Sequence, residues 1–382
     1  MKLLYFIQAL YNSGGMERVL SEKMNYLYSK YGYKIVVVTV EQMGRPLFFP
    51  LNEKIELIHL DINFDAHYNF NLFKKYYFHK KKLKQYKTKA QEIINNYKPD
   101  ICISLAGKEI EFFRELKTDA NKVAEIHFPI KMRELSMANH NYWKLLGKFR
   151  TTQLKHQTKS LDKLIVLTQT DEQILSSTHK NVTIIPNPIV IQTKNTEYNY
   201  QSKIAVSVGR LSYEKGYDIL LSTWKIIDDK FPQWQLHIYG EGVERAHLNK
   251  IIIENNLQKS VFLKGFSDDI AQVYVDSSFL VLSSRYEGFP LVIIEAMACG
   301  LPTVAFDCEF GPASIISDGE NGLLSPPENI DILAEKIIQM IENQQLRMKM
   351  STAAKETSKK YELNSIIKQW NNLFLSLKKS EN

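Results

Sequence analysis

Cysteine is scarce in this 382-residue sequence: Cys102, Cys299 and Cys308 are odd in number and far apart. They form neither a disulfide framework nor a metal-ligand spacing, so a reducing compartment is expected. No apolar run reaches the roughly 20 residues that a membrane-spanning helix needs. The opening stretch, MKLLYFIQALYNSGG, has a lysine and a short apolar run but no small-residue cleavage site. Because it opens directly into a glycine turn and an amphipathic segment, it is read as a first strand and not as a leader. Acidic residues are absent from residues 74–89, where eight lysines gather. The formal charge is +7, so the rest of the chain is about neutral and the basicity is local. Without a basic face or base-reading residues, nucleic acid is not an expected partner.

What is present is a repeating alternation. Short apolar runs at residues 3–7, 34–40, 54–60, 100–105, 122–126, 163–167 and 182–185 are separated by longer amphipathic or polar stretches. The pattern restarts at 204–208, 234–239, 261–263, 279–282 and 302–306. Such alternation predicts parallel sheets covered on both faces. The length allows two domains, each with its own core. Between the two series, the proline-stiffened IPNPI string is followed by the polar, aperiodic residues 192–202, which read as a linker. The expected organisation is residues 1–190, then 203–362, then a terminal helix in 363–382. Further helices are expected near 16–30, 291–299, 330–342 and 345–359.

The most informative stretch is SSRYEGFPLVIIEAMACGLPTV, residues 283–304. It leaves an apolar strand, passes a polar turn and enters an apolar helix, the place where doubly wound sheets hold ligands. Pro290 suits a helix start, and the free backbone N–H groups around Gly288, Phe289, Leu291 and Val292 at a positive dipole end suit a diphosphate. Glu287 lies in the turn and Glu295 inside the apolar helix, where a carboxylate needs a polar partner such as a pair of sugar hydroxyls. A helix cap and a core ion pair are the plainer alternatives. In VSVGRLSYEKGYDIL, Arg210 and Lys215 follow a strand end and project toward one point, supplying two charges for a departing diphosphate without a metal. Near the start, Gly14 and Gly15 open the first strand-to-helix turn and allow close backbone approach. His127, just past the strand at 122–126, is better placed for function than His79, His140, His156 or His247, which read as surface residues.

These strings resemble the E-x(7)-E signature and accompanying loops of the retaining GT-B glycosyltransferases of family 4, often labelled group 1. The resemblance runs over nearly the whole chain. It implies an α/β architecture of two Rossmann-like, doubly wound domains facing across a cleft, with the C-terminal helix crossing back to the N-terminal domain. By the same resemblance Glu287 contacts the donor sugar, Glu295 holds the ribose, and Arg210 with Lys215 binds the diphosphate. Gly14 and Gly15 lie over the phosphates, His127 contacts the donor sugar, and the loop with Gly265 and Phe266 borders the nucleoside. Gly311 and Pro312 resemble the family's turn into a short helix. Many relatives carry a glutamate where Ser314 or Ile315 stands, so that contact is not carried over.

No Asp-x-Asp element sits at a strand end. Asp228 with Asp229 and Asp268 with Asp269 read as exposed and helical, which disfavours a metal-dependent GT-A enzyme; no cofactor is expected. The expected reaction is retaining transfer from a nucleotide donor, UDP-sugar foremost, to a hydroxyl of a glycan or lipid-linked oligosaccharide in bacterial surface polysaccharide synthesis. The expected location is the cytoplasm, peripheral on the inner face of the membrane. Tyr76, Tyr77, Phe78, Leu83 and Tyr86 interleave with the lysines of 74–89, so this helix either rests on an anionic bilayer, at about 1 kcal/mol per nearby lysine, or is a solvated surface. Competing readings are a hydrolase, epimerase or phosphorylase of sugar nucleotides on the same fold, a non-catalytic membrane-associated GT-B protein and, least favoured, a nucleic-acid module.

Overall fold

In the computed structural model, which describes residues 1–67, 72–135, 141–192 and 198–378, the apolar runs become the strands of two wholly parallel sheets. The first contains β1 (Lys2–Ile7), β2 (Lys34–Thr39), β3 (Glu56–His59), β4 (Ile101–Ser104), β5 (Asn121–Glu125), β6 (Lys163–Val166) and β7 (Val182–Ile184). Their order is β3-β2-β1-β4-β5-β6-β7, so the direction of winding reverses between β1 and β4, with Leu3 opposite Ile35 on one side and Ile101 on the other. The second contains β8 (Ile204–Val208), β9 (Gln235–Tyr239), β10 (Val261–Gly265), β11 (Phe279–Leu282), β12 (Thr303–Phe306) and β13 (Gly322–Ser325). Its order is β10-β9-β8-β11-β12-β13, reversing between β8 and β11. Both have the Rossmann arrangement, in which the reversal opens a crevice beyond the strand carboxyl ends.

The helices are α1 (Gly15–Tyr31), α2 (Leu72–Tyr97), α3 (Met132–Leu135), α4 (Asn141–Thr158), α5 (Gln169–Ser176), α6 (Tyr217–Lys230), α7 (Arg245–Glu254), α8 (Ile270–Val275), α9 (Leu291–Ala298), α10 (Ile330–Glu342), α11 (Gln344–Ser358) and α12 (Leu363–Leu377). Because side chains alternate along a strand, β1 serves two cores. Leu4 and Phe6 pack with Leu83, Tyr86, Ala90 and Ile94 of α2, while Leu3, Tyr5 and Ile7 pack with Leu20, Met24 and Leu27 of α1. The second of these cores also takes Ile366, Ile367, Trp370, Leu373 and Phe374 from α12. That spacing is one helical face, and each such side chain contributes about 1.5–3 kcal/mol when fully buried. The terminal helix therefore belongs with the first sheet.

By contacts the chain divides into Met1–Pro186 with Leu363–Asn382, and Asn187–Glu362. The division falls just before the IPNPI string is complete, and Ile189 bridges Glu362 within the second unit. Residues 193–197 of the linker, His140 and residues 379–382 lie outside the described residues.

Two readings of the sequence need correction. Residues 322–325 form a sixth strand, which the flanking glycines made look like turn. The aromatic face read into residues 74–89 is split. Leu83 and Tyr86 are buried in the core, and only Tyr76 and Tyr77, 65% exposed each, face solvent. Lys82 donates to the Ile62 and Asn63 carbonyls, Lys89 to that of Leu60, and Lys87 pairs with Glu115. The interleaving of aromatics and lysines is thus partly the period of a helix packed on a sheet. Among the described residues no helix is long and apolar enough to cross a membrane.

Candidate functional site

In the second unit, the strands on either side of the winding reversal, β8 and β11, each deliver a polar loop. The loop after β8 runs past Arg210 and makes a tight 3-10 turn, Tyr213–Lys215, before Gly216 starts α6. Gly216 has φ +63, and a Cβ there would stand 2.1 Å from the Ser283 carbonyl oxygen, so the loop seats directly on the end of β11. Ser283 Oγ also donates to the Lys215 carbonyl at 3.0 Å. Gly240, after β9, has φ +141 and touches the Gly209 carbonyl, leaving no space for a side chain. Glycine is required at both positions by conformation and by space.

This close seating brings Lys215 to the glutamate motif. Its Nζ lies 2.7 Å from Glu287 Oε1, and the same oxygen accepts from Ser284 Oγ at 2.6 Å. The Lys215 stem also passes Gly209, whose missing Cβ would lie 3.4 Å from Lys215 Cε, next to Arg210 in the chain. Arg210 is exposed and has no ion-pair partner among the described residues. Gly311 closes on the other side of Glu287: a Cβ there would stand 2.7 Å from Glu287 Cβ. The turn carrying Gly311 and Pro312 therefore gives clearance to the glutamate, while Ser314 only donates to the Gly311 carbonyl and Ile315 is buried.

Pro290 is the residue before the first helical turn, one position earlier than its sequence pattern suggests; α9 begins at Leu291. The Leu291 and Val292 N–H groups find no acceptor among the described residues, whereas that of Ile293 turns back to the Pro290 carbonyl. Gly288 lies between Glu287 and these donors. Phe289 is buried edge-on to Tyr361 and holds the helix start in place, so its side chain is structural. One full turn inside α9, Glu295 is buried and accepts from Tyr274 of α8 at 3.4 Å. Burial, and then the Glu295 charge, push the Tyr274 hydroxyl well above its usual range, which keeps it a donor. Gly265 has φ +76 at the end of β10, and Phe266 beyond it is 64% exposed. Phe266 is an open apolar platform and not core.

Sequence reasoning passed over a clamp in this site. Arg285 forks onto Asp218 at 2.9 and 2.7 Å, reaches the Tyr213 carbonyl at 2.7 Å and lies 4.0 Å over the Tyr213 ring. It ties the Lys215 loop to the Glu287 loop. Burial would raise the Asp218 carboxyl, but the Arg285 hydrogen bonds and charge, with the first N–H groups of α6, hold it below the usual range. The signal was present, since Arg285 sits in a strand-end loop and Asp218 in the first turn of the helix that follows another, but their pairing is tertiary.

The first unit has its own strand-end residues. Gly14 precedes α1 in an extended conformation, and Glu17 folds back over it so that a Cβ on Gly14 would meet Glu17 Oε2 at 2.4 Å. Gly15 is the first helical residue and is exposed. His127 follows β5 with its Nε2 3.2 Å from Glu125 Oε2. Of the aspartates considered for a metal, Asp228 and Asp229 lie in α6 and Asp269 caps α8 by accepting from Gln272.

Residues 191–357 match the family described as glycosyl transferases group 1. Over 371 residues, 97% of this chain and 98% of the other, the sequence is 29% identical to an uncharacterized glycosyltransferase of Haemophilus influenzae. It is also 29% identical to the amylovoran biosynthesis glycosyltransferase AmsD of Erwinia amylovora, across 97% and 99% of the two chains. The fold matches a TarM variant from S. aureus, solved with UDP, fondaparinux and alpha-GlcNAc-glycerol, with a TM-score of 0.77 at 20% identity over 98% and 99% of the chains.

This chain carries the group 1 glycosyltransferase domain in residues 191–357. It is a glycosyltransferase with the GT-B fold. Arg210, Lys215, Gly265, Phe266 and the whole of 287–295 in this glycosyltransferase fall inside the family match, whereas Gly14, Gly15 and His127 fall outside it.

Proposed function

We propose that this glycosyltransferase moves a sugar from UDP to a hydroxyl of a glycan or lipid-linked oligosaccharide, with retention at the anomeric carbon and without a metal. The observation that carries the reading is the junction at the β8/β11 reversal, where Lys215 meets Glu287 at 2.7 Å beside the free N–H groups of α9. A cation, a helix start and a carboxylate converge there, as binding both a diphosphate and a sugar requires.

In this reading Arg210, Lys215 and the α9 N-terminus take the diphosphate and stabilise the charge that grows as the glycosidic bond breaks. Glu287 receives donor hydroxyls, Glu295 the ribose, and Phe266 with Gly265 the base. Gly14 and Gly15 are assigned to the phosphates, and His127 to the sugar, by the family resemblance. The acceptor oxygen attacks the anomeric carbon on the face the leaving group vacates. Its proton passes to the departing phosphate oxygen, so UDP and the glycoside are the products. Retention follows in this scheme because attack and departure share one face of the sugar, without the covalent carboxylate intermediate through which double displacement retains configuration.

Participation in bacterial surface polysaccharide synthesis is supported by the amylovoran relative, and UDP by the ligand solved with TarM. A place in the cytoplasm, on the inner membrane face, is supported by Tyr76 and Tyr77 among the lysines of α2 and by the exposed Leu145 and Phe149 of α4. The test is a thermal-shift panel of UDP-glucose, UDP-galactose, UDP-N-acetylglucosamine and GDP-mannose, followed by UDP release measured with and without acceptor. Stabilisation by one UDP-sugar and acceptor-dependent release, both lost in Glu295→Ala, is the expected result. Equal release without acceptor would instead identify a sugar-nucleotide hydrolase.

A further inference from the structure

The first unit contains a buried charge network that the assignment above leaves unused. Glu125 ends β5 and Lys23 lies on α1; each is 1% exposed, and Lys23 Nζ lies 2.7 and 2.5 Å from the two carboxylate oxygens. The ammonium is also 4.0 Å above the Trp370 ring of α12 and 5.3 Å from that of Tyr5. A buried ion pair is usually no more stabilising than apolar side chains of the same volume, so its presence in the core is poorly explained by stability. Its second carboxylate oxygen continues to His127 Nε2 at 3.2 Å.

We propose that Lys23 and Glu125 are positioning residues that hold the His127 ring with its proton on Nε2, leaving Nδ1 as an acceptor for a hydroxyl of the sugar substrate. The inference rests on the reading that His127 meets the donor. A carboxylate only accepts, so the ring nitrogen against Glu125 carries the hydrogen. In that tautomer the lone pair is on Nδ1. The His127 side chain is 5% exposed, and its Nδ1 is buried with no hydrogen-bond partner among the described residues. A buried acceptor without a donor is costly unless something bound supplies one, and a polyol hydroxyl does.

Lys23 has the second half of the task. It holds both oxygens of the Glu125 carboxylate, so that the second stays aimed at the ring. Trp370 and Tyr5 cover the ammonium and keep it on Glu125. The C-terminal helix thereby acts on His127 through two intermediaries.

The test compares full-length variants using the nucleotide sugar selected by the panel, with UDP-N-acetylglucosamine tried first. K23M/E125L replaces both charges by apolar groups of similar volume. Its melting temperature should stay within a few degrees of the parent and its affinity for UDP alone should not change, while kcat falls about 100-fold, as for a misplaced reacting group. The same loss is expected for H127A, with no further loss in the triple variant. K23M/E125Q keeps an acceptor for Nε2–H and should recover turnover to within about tenfold of the parent. The tautomer is read directly in the unsubstituted protein from imidazole nitrogen NMR shifts, with Nε2–H expected for His127. Parental kcat in K23M/E125L, or an Nδ1–H tautomer in the parent, would overturn the proposal. Full turnover by H127A would instead remove His127 from the donor site, a separate failure.

Discussion

Replacing Lys215 by methionine separates electrostatic stability from chemistry at the centre of the site. The ammonium is 2.7 Å from Glu287 Oε1, and the two side chains are 21% and 10% exposed. Methionine removes the charge while nearly keeping the volume, and leaves the Glu287 carboxylate with the Ser284 hydroxyl as its remaining described donor. Breaking a fully buried pair costs about 3–5 kcal/mol and a surface pair about 0–1, so a partly exposed lysine places this change near 2 kcal/mol. At about 2–4 °C per kcal/mol for a domain of this size, the melting temperature should fall by about 4–8 °C. K215M/E287Q removes the orphaned charge and should recover most of that loss by calorimetry. Turnover should not recover with it. If Lys215 stabilises the departing diphosphate, kcat falls about 100- to 1,000-fold in both variants, the range for losing one preorganised donor. Parental turnover in either variant, measured as UDP release, would refute the role assigned to Lys215, and an unchanged melting temperature in K215M would refute the electrostatic account of the pair.

Three further outcomes follow from the same geometry. Gly216→Ala places a methyl 2.1 Å from the Ser283 carbonyl at φ +63, so the left-handed backbone alone costs about 1–2 kcal/mol; calorimetry should show a clear fall in melting temperature and assays a loss of turnover as the Lys215 loop lifts off β11. Tyr274→Phe removes the donor to Glu295, and initial-rate kinetics should show a KM for the nucleotide sugar raised severalfold with kcat little changed; an unchanged KM would dissociate Tyr274 from donor binding. Arg285→Met should lower the melting temperature by a few degrees at pH 7, about 1 kcal/mol for a carboxylate a third exposed. Because the Asp218 carboxyl is held below its usual range, the stabilisation is complete above about pH 3.9 and is lost as pH falls through the lower folded value. The gap between parent and variant should therefore close in acid, and a gap constant down to pH 3 would exclude the ion pair as its source.

Much of the architecture was legible because it is local. Apolar runs of three to seven residues, spaced by amphipathic stretches, announce parallel strands and their covering helices, and glycine and proline mark where each strand hands over to a loop. Arg210, Lys215 and Glu287 in those loops, and Glu295 inside α9, stood out by residue type and place in that pattern, while the roles assigned to them came from the resemblance to the group 1 glycosyltransferases. Where local pattern misled, a competing local cause explains it: the lysines and aromatics of α2 form a helix face packed on β-strands, and the glycines around β13 disguised a strand of four residues.

Partner choice was not local. Lys23 and Glu125 are 102 positions apart, Lys215 and Glu287 72, and Tyr274 and Glu295 21. Periodicity tells which face of an element avoids water, but not which buried charge will oppose which, nor that Gly311 must be bare so that Glu287 can pass beside it. Those relations depend on strand order and on the close seating of loops at the winding reversals, which come into being only when whole elements pack. From its sequence alone this protein was bound to form strands, helices and glycine-marked loops in this succession; which side chains then meet, and at what distance, was decided by the sheets.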